Sequence, residues 1–154
     1  MELLKQLYYS ASLNLTIPEA VGLIVLWLIV WHNQGRSGWT LVAYSVFLIL
    51  YITILRRTHG CGETIKLYLR MWPNAGVWAG NLLNLFLYVP LGWTGQQWET
   101  ESKKVVIMGF VLSLFCEVTQ YFTGRGWADV NDVVFNTAGT FLGSWIVQKS
   151  VKMF

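Results

Sequence analysis

Between Lys104 and Val147 two apolar runs flank a short polar centre, and the polar residues there are of types that could do chemistry. Glu117 and Gln120 fall near the end of the first run. Arg125, Asp129 and Asp132 lie in or next to the centre, and Asn136, Gly139 and Gly143 follow in the second run. Each polar group costs free energy in hydrocarbon unless it is paired or used. Ser113, Glu117 and Gln120 are spaced i, i+4, i+7. Asp132, Asn136, Gly139 and Gly143 are spaced i, i+4, i+7, i+11, and an upstream run carries Asn81, Asn84 and Tyr88 at i, i+3, i+7. On helices, each set makes a single stripe.

The chemistry open to these residues follows from their types. Glu117, Asp129 and Asp132 could hold a divalent cation through oxygen, or one carboxyl could act as general acid or base. Arg125 could contact a phosphate or carboxylate, or stabilise charge on a transferred phosphoryl group. Asn84, Gln120 and Asn136 could fix a polar head by hydrogen bonds. Structural roles compete. Asp129 is placed to cap a helix starting at Val130, with Asp132 helping to satisfy its first turn. Arg125 could pair with Glu117 or Asp132, or anchor to headgroups, and Asn84 could simply bond between helices. No metal motif of known spacing is present, so no metal ligands and no cofactor are assigned. Isolated His32 and His59 read as solvated loop residues.

The elements that position these groups are membrane helices. Of 154 residues, 55% are hydrophobic and 12% charged, where a soluble domain carries about a quarter charged residues. The apolar residues fall in five long runs, the signature of an all-α polytopic membrane bundle of about five transmembrane helices. The spans run from Ile17 to Trp31, Trp39 to Leu55, Gly76 to Trp93, Val105 to Phe122 and Val130 to Val147. Trp31, Trp39, Trp72, Trp78, Trp93, Trp98 and Trp127 sit at or near run ends, as interfacial aromatics do. Pro90 falls inside the third span, where it frees a carbonyl and can kink the helix. Gly139-x-x-x-Gly143 lets a neighbouring helix approach closely. In the connections, Thr64 to Met71 reads as an amphipathic interfacial helix and Thr94 to Lys104 as a polar turn. Residues 1–16 have Leu3, Leu4, Leu7 and Tyr8 on one side of a short interfacial helix and lack the pattern of a cleaved signal peptide. The whole chain reads as a single domain, 1–154.

A net charge of +3 without a basic block points away from nucleic acid. Cys61 and Cys116 make no disulfide framework, and Cys116 reads as a small buried hydrophobe. Antiparallel spans put Asn81, Asn84, Glu117, Gln120, Asp132 and Asn136 in one leaflet, with Glu117 roughly 8 Å deep by helical rise. The expected result is a polar pocket between the third, fourth and fifth spans, open to one face. The positive-inside rule does not orient it, since Lys and Arg divide almost evenly between the two sides.

Asn84-LFLYV-Pro90-Leu-Gly92, then Glu117-x-x-Gln120, then Asp129-x-x-Asp132-x-x-x-Asn136-Thr-x-Gly139-x-x-x-Gly143, resembles the VanZ-like family of small bacterial membrane proteins. The resemblance covers a core at 68–145. Trp72-Pro73-Asn74 departs from the family's aromatic after a proline. The resemblance implies resistance to teicoplanin and related lipid-bearing glycopeptides, and a site facing outward, where those drugs act. That orients the chain in the plasma membrane with its amino terminus outside and its carboxyl terminus in the cytoplasm. The expected partners are membrane lipids and a lipoglycopeptide or lipid-linked cell-wall precursor. Binding such an amphiphile at Asn84, Glu117, Gln120, Arg125, Asp129, Asp132 and Asn136 is one reading. The alternative is a membrane enzyme acting on a lipid phosphate, possible with or without a metal. A transporter is disfavoured by the small size and the lack of inverted halves.

Overall fold

The computed structural model describes residues 2–6, 16–33, 39–56, 65–66, 75–99 and 101–151. All five expected helices are present: α1 Ile17–Asn33, α2 Trp39–Leu50, α3 Ala75–Trp98, α4 Ser102–Thr123 and α5 Val130–Val151. Residues 2–6 are also helical. Leu7, Tyr8, His59, Cys61 and the Trp72-Pro73-Asn74 segment lie outside the described residues. α3 and α4 are long and apolar enough to cross a membrane, and Pro18–Val30 and Trp39–Leu55 are shorter apolar helices. α5 has the length, but Asn131, Asp132, Asn136, Thr140, Ser144 and Gln148 dilute its apolarity.

Cross-helix contacts fix the directions of the helices. Arg56, Tyr51 and Tyr44 of the second hairpin arm bond Glu19, Glu19 and Leu23 of α1, so these two run antiparallel. Ser113 meets Asn136, and Gly109 faces Thr140, which makes α4 and α5 antiparallel as well. α3 and α5 are parallel, with Leu85 beside Gly139 and Val89 beside Gly143, and they form the most extensive helix pair of the bundle. A Cβ on Gly139 would overlap the Leu85 carbonyl oxygen, one on Gly143 the Val89 carbonyl, and one on Gly92 the Thr140 carbonyl. The expected close approach at Gly139 and Gly143 is therefore present, and its partner is the proline-bearing α3. The buried apolar cluster of Val42, Ile49, Ile54, Tyr88, Leu91 and Cys116 lies between α2, α3 and α4.

Three local features differ from the sequence reading. α2 does not end as a regular helix. Tyr51–Leu55 is a π-helical turn, closed by the Arg56 N–H on the Tyr51 carbonyl at 2.9 Å. α3 runs past Trp93 to Trp98, because Thr94, Gly95 and Gln96 are buried in helix contacts there instead of forming a polar turn. Ile65–Lys66 is a strand (β1), not part of an amphipathic helix; it pairs in parallel with Ala128–Asp129 (β2), Ile65 opposite Ala128 and Lys66 opposite Asp129. That pairing gives hydrogen-bond partners to backbone groups just before α5, and a helix at 65–66 could not do so.

Candidate functional site

Two helix ends build the site. α4 stops at Gly124, whose φ of 61° and ψ of 23° are left-handed. The Gly124 N–H bonds the Tyr121 carbonyl, and the Arg125 N–H bonds the Gln120 carbonyl at 3.1 Å. This is a Schellman closure, which favours glycine for its freedom at positive φ. Five residues after Gly124, Asp129 caps α5 as the sequence suggested. Its Oδ1 accepts the Asn131 backbone N–H at 2.9 Å and the Asn131 amide at 2.7 Å. The Asp129 N–H in turn donates to Glu117 Oε2 at 2.8 Å. The turn between α4 and α5 is thus tied back onto α4 by a carboxylate that is itself only 5% exposed.

The neighbouring amides look inward. Gln120, 1% exposed, donates through Nε2 to the Thr53 carbonyl at 3.2 Å. Arg125 Nη1 donates to the Ile54 carbonyl at 3.4 Å. Both acceptors belong to the π turn, where the wider winding presents carbonyls to side chains of another helix. Asn136 donates to Ser113 Oγ at 2.8 Å. Tyr88 meets Cys116 Sγ at 3.9 Å, and Thr53 Oγ1 reaches the same sulfur at 3.5 Å; Cys116 is buried and in no disulfide among the described residues. Asn136 Oδ1 and Asn81 Nδ2 are buried without a hydrogen-bond partner among the described residues.

The structure therefore brings Glu117, Gln120, Arg125, Asp129 and Asn136 to one end of the bundle. Asp132 is half-buried in the first turn of α5. Asn84, half-buried on α3, takes no part in the bonds just described. The space between α3, α4 and α5 is filled at this level by Tyr88, Ser113 and Asn136, all buried. Open space lies on the outer side, in a cleft of about 340 Å³ lined by Leu114, Glu117, Val118, Tyr121, Phe122, Ala128, Asp129, Val130 and Val133. Among the described residues, no group of three His, Cys, Asp or Glu is arranged to hold a metal ion, so Glu117, Asp129 and Asp132 do not converge as a ligand set.

Two polar clusters escaped the sequence reading. Glu19 takes Arg56 at 3.1 Å, the Tyr51 hydroxyl at 3.3 Å and Thr16 through both N–H and hydroxyl. An acid opening α1 and a cation closing an antiparallel second span were the available signal. At the far end Gln96 Oε1 accepts Ser102 Oγ at 2.6 Å and Ser144 Oγ at 2.5 Å, and Gln148 donates to Ser102. The period-four run Asp132, Asn136, Thr140, Ser144, Gln148 announces this stripe, which extends along α5.

The model of the VanZ/LLP1 family matches residues 20–151. The chain belongs to the VanZ/LLP1 family. That match starts in α1 and ends with α5, so the family fold takes in all five helices as well as the motif-bearing second half. No curated protein and no solved structure matches the chain. Family membership together with two helices able to cross a bilayer identifies a membrane protein. Within this VanZ/LLP1 chain, the motif residues divide into two groups. Glu117 and Asp129 face the outer cleft, whereas Gln120 and Arg125 hold α4 to the π turn.

Proposed function

We propose that this chain is a multi-pass plasma-membrane protein that lowers sensitivity to teicoplanin-type lipoglycopeptides by binding an amphiphilic or lipid-linked molecule in the α4–α5 cleft. Its amino terminus is outside and its carboxyl terminus in the cytoplasm, which turns the cleft outward. The observation that carries the reading is the cleft itself: an apolar lining, with Glu117 and Asp129 among its residues at the turn end. Apolar pockets with a few placed polar groups are the usual form of a ligand site. Leu114, Val118 and Phe122 are exposed on the outer wall, so an acyl chain enters sideways from the bilayer while its head stays near the turn.

The test is resistance in a sensitive host. Glu117→Gln keeps an oxygen to accept the Asp129 N–H and loses the ionisable carboxyl. The variant is expected to reach parental amounts in the membrane and to give no protection. An abundant Glu117→Gln protein that protects fully would overturn the proposal.

A further inference from the structure

Two buried amides of the bundle interior each carry a polar atom that the cleft does not use. Asn81 Nδ2 of α3 and Asn136 Oδ1 of α5 make no hydrogen bond among the described residues, and the two residues are 4% and 2% exposed. The helix register sets them close together. Leu85 lies against Gly139 and Val89 against Gly143. One turn nearer the helix starts, the same register brings Asn81 to Phe135, the neighbour of Asn136. Trp78 meets the Phe135 ring edge-on with centroids 6.1 Å apart, so α3 and α5 are still in contact at that level. By helical rise both amides are about 9 Å from the first residues of their helices, Ala75 and Val130. Asn136 Nδ2 is held by donating to Ser113 Oγ at 2.8 Å, which leaves Oδ1 as the unused acceptor.

A donor and an acceptor left unpaired inside a membrane bundle each cost free energy, and these two do not bond each other. A ligand that relieves both must have a lone pair for the N–H and a hydrogen for the oxygen. A metal cation has no use for the donor, and an anion none for the acceptor. Turning the Asn81 amide over would exchange its nitrogen for its oxygen and leave two acceptors, which the two hydrogens of a water serve equally well. A large ligand is excluded by packing, since Tyr88, Ser113 and Asn136 fill the interior here and are all buried. Water meets every condition, and two polar partners are enough to hold one inside a protein. We infer that a single water molecule is bound between Asn81 and Asn136, accepting from Nδ2 of the first and donating to Oδ1 of the second. The sequence Asn81, water, Asn136, Ser113 then joins α3, α5 and α4 by polar bonds at the end of the bundle that carries the α4–α5 turn.

A crystal structure of the full protein in lipid, at a resolution that shows ordered water, should have one water within hydrogen-bond distance of both atoms. A direct bond between Asn81 and Asn136, or no water between them, would overturn the inference. Melting of the full protein in detergent tests the same bridge in variants. Asn81→Leu, close to the original in shape, should melt several degrees below the parent, because Asn136 Oδ1 loses its water-borne donor. An Asn81 with no partner at all predicts the reverse, since an apolar group there removes a buried cost. Asn136→Leu also loses the Ser113 bond, but that loss is common to the single and the double variant and cancels between them. Asn81→Leu combined with Asn136→Leu should therefore lose less than the two single losses added together. An Asn81→Leu protein that melts at or above the parent, or losses that simply add, would overturn the bridge. If Asn81→Leu does not fold, the water in the wild-type structure alone decides.

Discussion

Glu117 Oε2 and the Asp129 backbone N–H, twelve positions apart in sequence, are joined by a 2.8 Å hydrogen bond. The bond makes one buried carboxylate answer to two demands: it satisfies a helix-start donor and it lines the cleft. The demands separate on substitution. Glu117→Ala leaves the Asp129 N–H without its acceptor in a part-buried place, which costs about 1–3 kcal/mol. Glu117→Gln keeps the acceptor and should unfold near the parental temperature. Thermal unfolding in detergent, followed by loss of monomeric protein on size exclusion, should rank wild type and Glu117→Gln together and Glu117→Ala below. A Glu117→Ala protein as stable as wild type would show that the bond does not hold the turn.

Helix packing gives a second expectation. A side chain at Gly143 would run into the Val89 carbonyl and the Trp93 N–H, and one at Gly139 into the Leu85 backbone. Backbone cannot step aside as a flexible side chain can, so Gly143→Leu should lower stability by at least about 2 kcal/mol. Gly80, on the same helix as Val89, has nothing within 4 Å of an added Cβ. Gly80→Ala is therefore the control and should melt like the parent. Equal melting of Gly143→Leu and the parent would mean that α3 and α5 do not meet at this face.

The π turn supplies a third. Gln120 is the donor to the Thr53 carbonyl, and this contact ties α4 to α2 inside the bundle. Gln120→Leu removes the donor at similar size and leaves a buried carbonyl to be satisfied elsewhere. Stability should fall by about 1–3 kcal/mol, with amide exchange rising at Tyr51–Leu55 before the rest of α2. Uniform exchange across α2 in the variant would argue that the π turn stands without Gln120.

These cases show what the sequence could and could not convey. Helices and their facing stripes were legible because periodicity and apolar run length act locally, and Gly139 and Gly143 announced a close neighbour by type and spacing. The Asp129 cap was legible for the same reason, as a short-range pattern of residue types. The π turn was not: Tyr51–Leu55 is apolar and reads as ordinary helix, and what distinguishes it is bonding to Gln120 and Arg125 far along the chain. Nor was the strand at Ile65–Lys66, which exists only because Ala128–Asp129 lies beside it. The stripe residues pointed inward as expected. But inward proved to be packed, with Ser113 and Asn136 bonded to each other, and the open cleft lies on the neighbouring, exposed face of α4, where Glu117 and Asp129 are the members of the polar set in its lining.

Orientation is the remaining expectation, and it bears on mechanism. Trp39 and Trp98 lie with ring centroids 5.5 Å apart, tilted at 53°, at one end of the bundle, while Trp127 belongs to the turn at the other end, beside the cleft. Trp98 and Trp127 are exposed, at 54% and 48%, so a cysteine at either position is open to reagent. In a background lacking Cys61 and Cys116, a membrane-impermeant maleimide applied to intact cells should label Trp127→Cys and not Trp98→Cys. Permeabilised cells should label both, which shows that each variant is inserted and reactive. The physical stake is access. A lipoglycopeptide acts from outside, and a cleft on the cytoplasmic side would meet it only after the drug had crossed the bilayer. Labelling of position 98 alone would therefore reverse the orientation and remove direct capture of the drug as the route to resistance, leaving a lipid of the inner leaflet as what the Glu117–Asp129 cleft binds.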